Sequence, residues 1–497
     1  MNSVPHIPAL RNGKAYESLD QTEVKDFRTG EVKGRVSQVN AGAVRKDLQR
    51  LALARTALKK FATAQLIEIC GAAGEAFLSG SLPIGTAGCT QDAQEYAETL
   101  SATSGLPQVM VRRNMTKIHH ALTNMGSILN GLTRGLDLAI LDKGAGKQAG
   151  VSLCFYPTTQ ALGVVMPSNS PAVNSLWLPA VALKIPVIIK PGRDEPWTPY
   201  RLIQAFISAG CPAEAFGFYP TDHEGAAAIL SMCGRALLFG DQSTTQQYAH
   251  NPAIEIHGPG YSKILIGEDQ IERWPEFVDL IVSSISDNGG RSCINASTVV
   301  VPRYGAEIAD ALAKKLGPVI PTSLDDQEAR LSGFANSKMA DSIDAAIEDG
   351  LKEAGAREAT AAFRNGPRKA VFQQGTYLRP TIVHCDSFAH PLANREFLFP
   401  FASVIEMPQQ QVLQQIGPSL VVTAITDDSE FQTQLLDSPL IQRLNLGPIP
   451  TTRISWDQPH EGNMFELLYH RRAIERAEVG SSRSRESVAN EVVVARS

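Results

Sequence analysis

At 497 residues the chain is too long for one hydrophobic core, and two or three domains are expected. Its 43% hydrophobic and 20% charged content is ordinary for a soluble globular protein, and its net charge of −5 gives no electrostatic reason to expect nucleic acid or an anionic membrane as partner. No apolar run is long enough to span a bilayer, and Met1-Asn2-Ser3-Val4-Pro5-His6 lacks the apolar centre of a signal peptide.

Residues 1–40 are mixed and turn-rich, and are expected to cover the surface of another unit. From Ala41 to about Leu78 the apolar spacing turns helical, with Leu48, Leu51, Leu53, Leu58 and Phe61 among Ala, Lys and Arg. Further helices are expected over about Gln91–Ser101 and Met115–Leu132. Strand-like segments begin at Val151–Pro157 and continue with Ala161–Met166, which runs into the turn Pro167-Ser168-Asn169-Ser170-Pro171. Ala172–Leu183 reads as a helix, with Pro171 suited to its first turn. A buried strand, Ile185–Lys190, then leads through Pro191 to a helix opened by Trp197-Thr198-Pro199 and closed near Ala209-Gly210-Cys211-Pro212. Strands alternating with helices at this spacing imply βαβ units and a parallel sheet. Ligands of such sheets sit beyond the carboxyl ends of the strands, where both Asn169 and Lys190 fall.

The next strand, Arg235–Phe239, leads into Gly240-Asp241-Gln242-Ser243-Thr244. Ser243 or Thr244 there is suited to cap a helix whose free N–H groups would accept a pyrophosphate; an ordinary capped helix is the alternative. No GxGxxG occurs. After Ile254–Ile266 a second α/β region extends to about Gly447, with helices near Ala306–Leu316 and Met339–Ala354. The polar stretch from Gly480 onward reads as a disordered tail.

Asp287-Asn288-Gly289-Gly290-Arg291-Ser292-Cys293 precedes the apolar run Ser297–Val301. Two glycines let the backbone approach a ligand or adopt φ > 0, which suits a thiol reached by a carbonyl substrate. The alternative is a small apolar residue buried after a turn. The seven cysteines are odd in number and scattered, and no CxxC or Cys/His cluster marks a metal site, so a reduced, cytoplasmic enzyme is expected.

Taken in order, these motifs resemble the aldehyde dehydrogenase superfamily over roughly residues 40–450. Met166-Pro167-Ser168-Asn169-Ser170-Pro171 resembles its proline–x–asparagine turn, and Lys190-Pro191 its nucleotide-binding lysine. Ala209-Gly210-Cys211-Pro212 resembles the end of a helix in the family, Asn288-x-Gly290-x-x-Cys293 its nucleophile segment, and Glu396-Phe397-Leu398-Phe399-Pro400 its Glu-x-Phe-Gly-Pro element. The resemblance implies an α/β fold of two Rossmann-like parallel-sheet domains plus a small oligomerisation element. It divides the chain into a nucleotide-binding domain over 41–256, with an oligomerisation hairpin near 148–156, a catalytic domain over 257–447 and a return segment over 448–479.

It further implies NAD- or NADP-dependent oxidation of an aldehyde through a Cys293 thioester, in a homodimer or homotetramer. Asn169 and the Cys293 backbone N–H would hold the oxyanion, an effect of roughly 3 kcal/mol on the barrier. Met166, Pro167, Ser168, Lys190, Gly240, Ser243 and Glu396 would contact the coenzyme. Each polar member has a structural alternative: Asn169 as a helix cap, Lys190 as a strand-end charge, Glu396 as a surface carboxylate.

Two departures from the family bear on chemistry. The family's Glu-Leu-Gly-Gly-Lys is replaced by Glu255-Ile256-His257-Gly258-Pro259-Gly260-Tyr261-Ser262-Lys263. Depending on the register, the general base of thioester hydrolysis falls on Glu255, on Ile256 or on His257. Without a base, coenzyme A would take the acyl group, as in the acylating branch acting on acyl thioesters, and Phe399 before Pro400 leans the same way. Arg193, three after Lys190, stands where many NAD-preferring members carry Glu. It suits a 2′-phosphate, although Asp194 and Glu195 adjoin it.

Overall fold

A computed structural model describes residues 4–85 and 88–476 of the protein. The stretch from Gly480 onward lies outside them. Two seven-stranded sheets organise the chain. The first places Ala161–Val165 at its centre, between Gly234–Phe239 and Val187–Lys190, with Ile254–His257 and Phe216–Phe218 outside these; all five run parallel. The near-continuous apolar composition of Ala161–Val165, Val187–Lys190 and Phe216–Phe218 matches their burial on both faces, with helices such as Trp197–Ser208 and His223–Met232 packed in the same unit.

Residues 1–40 do more than cover this unit. Ala9–Arg11 and Lys14–Tyr16 extend the sheet antiparallel at the Phe216–Phe218 edge, closing an otherwise unpaired ladder. The helical third is broken into Ala41–Leu48, Leu51–Leu58, Thr63–Ser79, Ala93–Ser104, Gln108–Thr123 and Met125–Leu132. Among the described residues no single helix is long and apolar enough to cross a membrane.

The chain leaves the first sheet at His257 and enters the second at Ser262. The second sheet has the order Ala356–Glu358, Thr381–Cys385, Phe401–Glu406, Ala296–Val301, Ser262–Ile266, Ser419–Ile425, Ile441–Leu446, parallel except for its first strand. Expected helices appear at Gly305–Leu316 and Ser337–Leu351. A separate antiparallel hairpin, Ala145–Gln148 with Val151–Pro157, is joined on its other edge by Tyr469–Arg471. The return segment thus crosses back to the first half of the chain.

Candidate active site

One cavity of about 520 Å³ lies where the strand ends of the two sheets converge. Pro167, Ser168, Asn169, Gly240, Glu255, His257, Cys293 and Glu396 all line it. Residues more than 200 positions apart in sequence are brought to one cleft.

The nucleophile segment is a short turn, Asp287–Gly290, in which Asn288, Gly289 and Gly290 have φ of 54°, 65° and 69°. A Cβ on Gly290 would stand 2.4 Å from the backbone of Phe399 and Pro400, so only glycine admits this approach. Asn288 tolerates its left-handed backbone because its amide is fully used. Its Oδ1 accepts from Asn114 Nδ2 (2.7 Å), and its Nδ2 donates to Ser170 Oγ (3.2 Å) and Ser292 Oγ (3.1 Å). Arg291 is buried and donates to the carbonyls of Ser104, in the helical third, and of Gly333, in the second half of the chain, which anchors the turn to both. Cys293 itself is partly exposed to the cleft. Burial, followed by the nearby Glu461 and Glu396 carboxylates, pushes its thiol well above the ordinary range, so the resting sulfur is protonated.

Asn169 does not cap the helix after it. Ser170 occupies the cap position without a side-chain bond, and the expected Ala172–Leu183 helix is a 3₁₀ turn, Pro171–Leu176, followed by a short helix, Leu178–Ala182. Asn169 Nδ2 instead donates to the Arg291 carbonyl at 2.9 Å, two residues before Cys293. That bond uses one of the two amide protons and leaves the other uncommitted.

Glu396 is no surface carboxylate. It accepts the Tyr261 backbone N–H at 2.7 Å, and burial raises it to about 7. The segment holding it is tightly packed. A Cβ on Gly260 would lie 2.1 Å from the Cys293 carbonyl oxygen, which also accepts from Ser262 Oγ at 2.8 Å. Lys263, fully buried, donates to the Tyr261 carbonyl (2.7 Å) and Ser419 Oγ (2.9 Å).

Both base candidates meet in one cluster. His257 ends the strand Ile254–His257 and stacks on Phe239 with centroids 4.4 Å apart. Its Nδ1 lies 2.5 Å from Glu461 Oε2, and its Nε2 lies 3.3 Å from Glu255 Oε1 without hydrogen-bond alignment. Burial opposes its charge, but the two carboxylates outweigh that and raise it to about 9. His257 is therefore an imidazolium at neutral pH. Gly462, with φ of 72°, makes room for Glu255, since a Cβ there would stand 2.4 Å from its Oε2. The adjacent His460 stays neutral: burial and the Arg443 guanidinium, whose Nη1 donates to its Nδ1 at 2.8 Å, depress it to about 3.

The expected coenzyme residues divide. Met166 is buried in the core, and only its backbone, donating to the Lys190 carbonyl, faces the strand ends. Lys190 is half-buried at the end of its strand, its ammonium lowered by burial and by Arg193. Neither Ser243 nor Thr244 caps the next helix. Asp241 does, accepting from Thr244 N and Ser243 Oγ (both 2.8 Å), and the helix Gln242–Thr245 is a single turn. A carboxylate there repels the pyrophosphate that a free N-terminus would attract.

Glu195 does not neutralise Arg193. It is buried and accepts from Thr198 N (2.8 Å) and Oγ1 (2.7 Å). Arg193 is exposed, and among the described residues no carboxylate lies within ion-pair distance of it. Sequence reasoning missed Asn114 and Lys117 in the cavity wall, and named Asp194 only as a neighbour of Arg193. Asn114 and Lys117 share one helix face at i, i+3, but nothing in the sequence says which face meets the cleft.

Two parallel sheets meeting at a cysteine-bearing cleft is the architecture of the aldehyde dehydrogenases. The sequence model of the aldehyde dehydrogenase family matches residues 86–416, and the chain belongs to that family. It is 23% identical to 5-carboxymethyl-2-hydroxymuconate semialdehyde dehydrogenase of Escherichia coli over 412 residues, 79% of this chain and 82% of that one. With malonate-semialdehyde dehydrogenase of Halalkalibacterium halodurans it shares 23% over 259 residues, 50% of this chain and 51% of that one. The chain thus spans about half the length of several curated relatives it matches. Its fold superposes on the P. syringae indole-3-acetaldehyde dehydrogenase AldA, solved with NAD+ and IAA. That superposition has a TM-score of 0.74 at 16% identity, covering 95% of this chain and 96% of the other.

Proposed function

We propose that the protein oxidises an aldehyde through a covalent Cys293 thioester, with a nicotinamide coenzyme and release by water. The observation that carries this is the shared cavity of Cys293, Asn169, Glu255 and Glu396. A nicotinamide coenzyme fits the chain's residues. The cavity is large, Glu396 stands inside it beside Cys293, and Gly192 packs so closely on Pro167 and Ser168 that any Cβ would clash. Glu396, Pro167, Ser168 and Lys190 would hold it, and when bound it supplies the acceptor for the hydrogen and electron pair leaving the aldehyde carbon.

The chain's own groups do the rest. As the Cys293 sulfur bonds to the carbonyl carbon, its proton passes to a carboxylate of the cleft. The free Asn169 N–H and the Cys293 backbone N–H meet the oxyanion. Once the thioester exists, Glu255 takes a proton from water, which attacks the acyl carbon and breaks the C–S bond. Arg193, exposed and outside ion-pair distance of any described carboxylate though in the field of Asp194, would meet a 2′-phosphate and so favours NADP over NAD.

A second reading keeps the thioester but passes it to coenzyme A. It is favoured by the placement of Glu255, whose Oε1 lies 3.3 Å from His257 Nε2 and so faces the imidazole rather than an open position for water. Acid release from an aldehyde, measured with and without coenzyme A, separates the two. Acid without the thiol supports hydrolysis; product only with the thiol, as acyl-CoA, supports transfer. Absence of an acyl adduct on Cys293 by peptide mass spectrometry in both arms overturns the thioester itself.

A further inference from the structure

The cavity is lined by two side chains of the Lys and Arg type, Lys117 and Arg291. Arg291 is spent on backbone carbonyls of Ser104 and Gly333. Lys117, on the helix Gln108–Thr123, has no hydrogen bond or ion pair among the described residues. The anion acting most strongly on it is Asp287, which lies beyond ion-pair distance and whose Oδ2 accepts the Thr452 hydroxyl at 3.0 Å. Burial lowers its ammonium, as expected for a cation withdrawn from water without a partner.

The cavity's other charged groups answer to other partners, Asp194 lying in the field of Arg193, Arg291 and Lys190. Glu255 and Glu461 face His257, Glu396 accepts from Tyr261, and Asp241 caps its helix. The cavity wall also carries the apolar Ala121, one turn along the same helix from Lys117, with Val173, Leu176, Ile454 and Trp456. An aliphatic chain ending in one negative charge matches this combination. A single compact ammonium supplies one point charge, which one carboxylate balances.

We infer that Lys117 is a specificity-determining residue that pairs with the far carboxylate of a short ω-carboxy aldehyde, whose carbonyl end reaches Cys293. This rests on the aldehyde reading of the cavity and narrows its substrate class. Two tests, one of turnover and one of binding, keep a failure of the aldehyde reading distinct from a failure of the anion site. For the first, kcat/KM is measured for succinic semialdehyde and for butanal in the wild type, Lys117→Met and Lys117→Arg. The expected result is a ratio of the two that falls at least tenfold in Lys117→Met and is largely restored in Lys117→Arg; an unchanged ratio overturns the inference.

For the second, succinate and butyramide are titrated calorimetrically into the same proteins, with folding verified by thermal denaturation. Succinate binding at least tenfold tighter to the wild type than to Lys117→Met, and tighter than butyramide, supports the carboxylate site even if neither aldehyde is oxidised. Equal binding of the two compounds, or of succinate to wild type and Lys117→Met, overturns it.

Discussion

At the scale of single residues, charge and burial decide the behaviour of the cleft. His257 is raised from 6.5 to about 9 in the folded protein, chiefly by Glu255 and Glu461 working against burial. A raised folded value means that its contribution to stability is full below the unfolded value. The contribution fades as pH climbs from about 6.5 through 9. Wild type should therefore exceed His257→Gln in Tm by a margin that is largest near pH 6 and shrinks by pH 9, as read by circular dichroism. A margin independent of pH would mean that the carboxylates do not act on the imidazole as charges.

Arg193 gives a second expectation at this scale. Losing a charge-assisted pair to a 2′-phosphate costs about 1.5–3 kcal/mol, so Arg193→Glu should raise KM for NADP by about tenfold or more and improve NAD by comparison. Parallel changes for both coenzymes would place the phosphate elsewhere.

At the scale of elements, the site depends on backbones that touch. The strand-to-strand passage Gly258–Tyr261 presses against the nucleophile turn at Gly260, and the turn presses against Phe399–Pro400 at Gly290. Gly260→Ala forces a carbon to within 2.1 Å of the Cys293 carbonyl unless one segment moves. Overpacking of this kind costs about 1–3 kcal/mol, and the displaced turn should lower kcat well before the protein unfolds at assay temperature. Thermal denaturation and steady-state rates on one preparation check both halves of that expectation. These contacts were invisible in the sequence. The glycines flanking Cys293 signalled a close approach, but what approached them came from residues 260 and 399, far along the chain. Likewise Asp241, not the predicted Ser243 or Thr244, takes the cap, because local competition among three capping residues is settled by backbone geometry.

For the molecule as a whole, the hairpin Ala145–Gln148 and Val151–Pro157 with Tyr469–Arg471 forms a three-stranded sheet apart from both large ones. Val151 is 51% exposed at its tip, an apolar residue that nothing among the described residues covers. We propose this sheet as the seat of homo-oligomer assembly. Val151→Lys should shift the protein toward smaller species in sedimentation velocity while leaving the fold intact by circular dichroism. An unchanged distribution would move the contact to another face.

The sequence by itself determined the alternation of buried strands and helices, hence two parallel sheets, and the ordered motifs around Asn169, Lys190, Cys293 and Glu396. Those signals are local: apolar periodicity, turn residues and short spacings survive in one dimension. Only the tertiary structure decided that Glu461 and Glu255 flank His257, that Asn169 is tied to Arg291, and that Lys117 stands unpaired in the same cleft. The Glu461–His257 and Asn169–Arg291 contacts join positions 204 and 122 residues apart, and an electrostatic environment is a sum over neighbours that chain order does not encode.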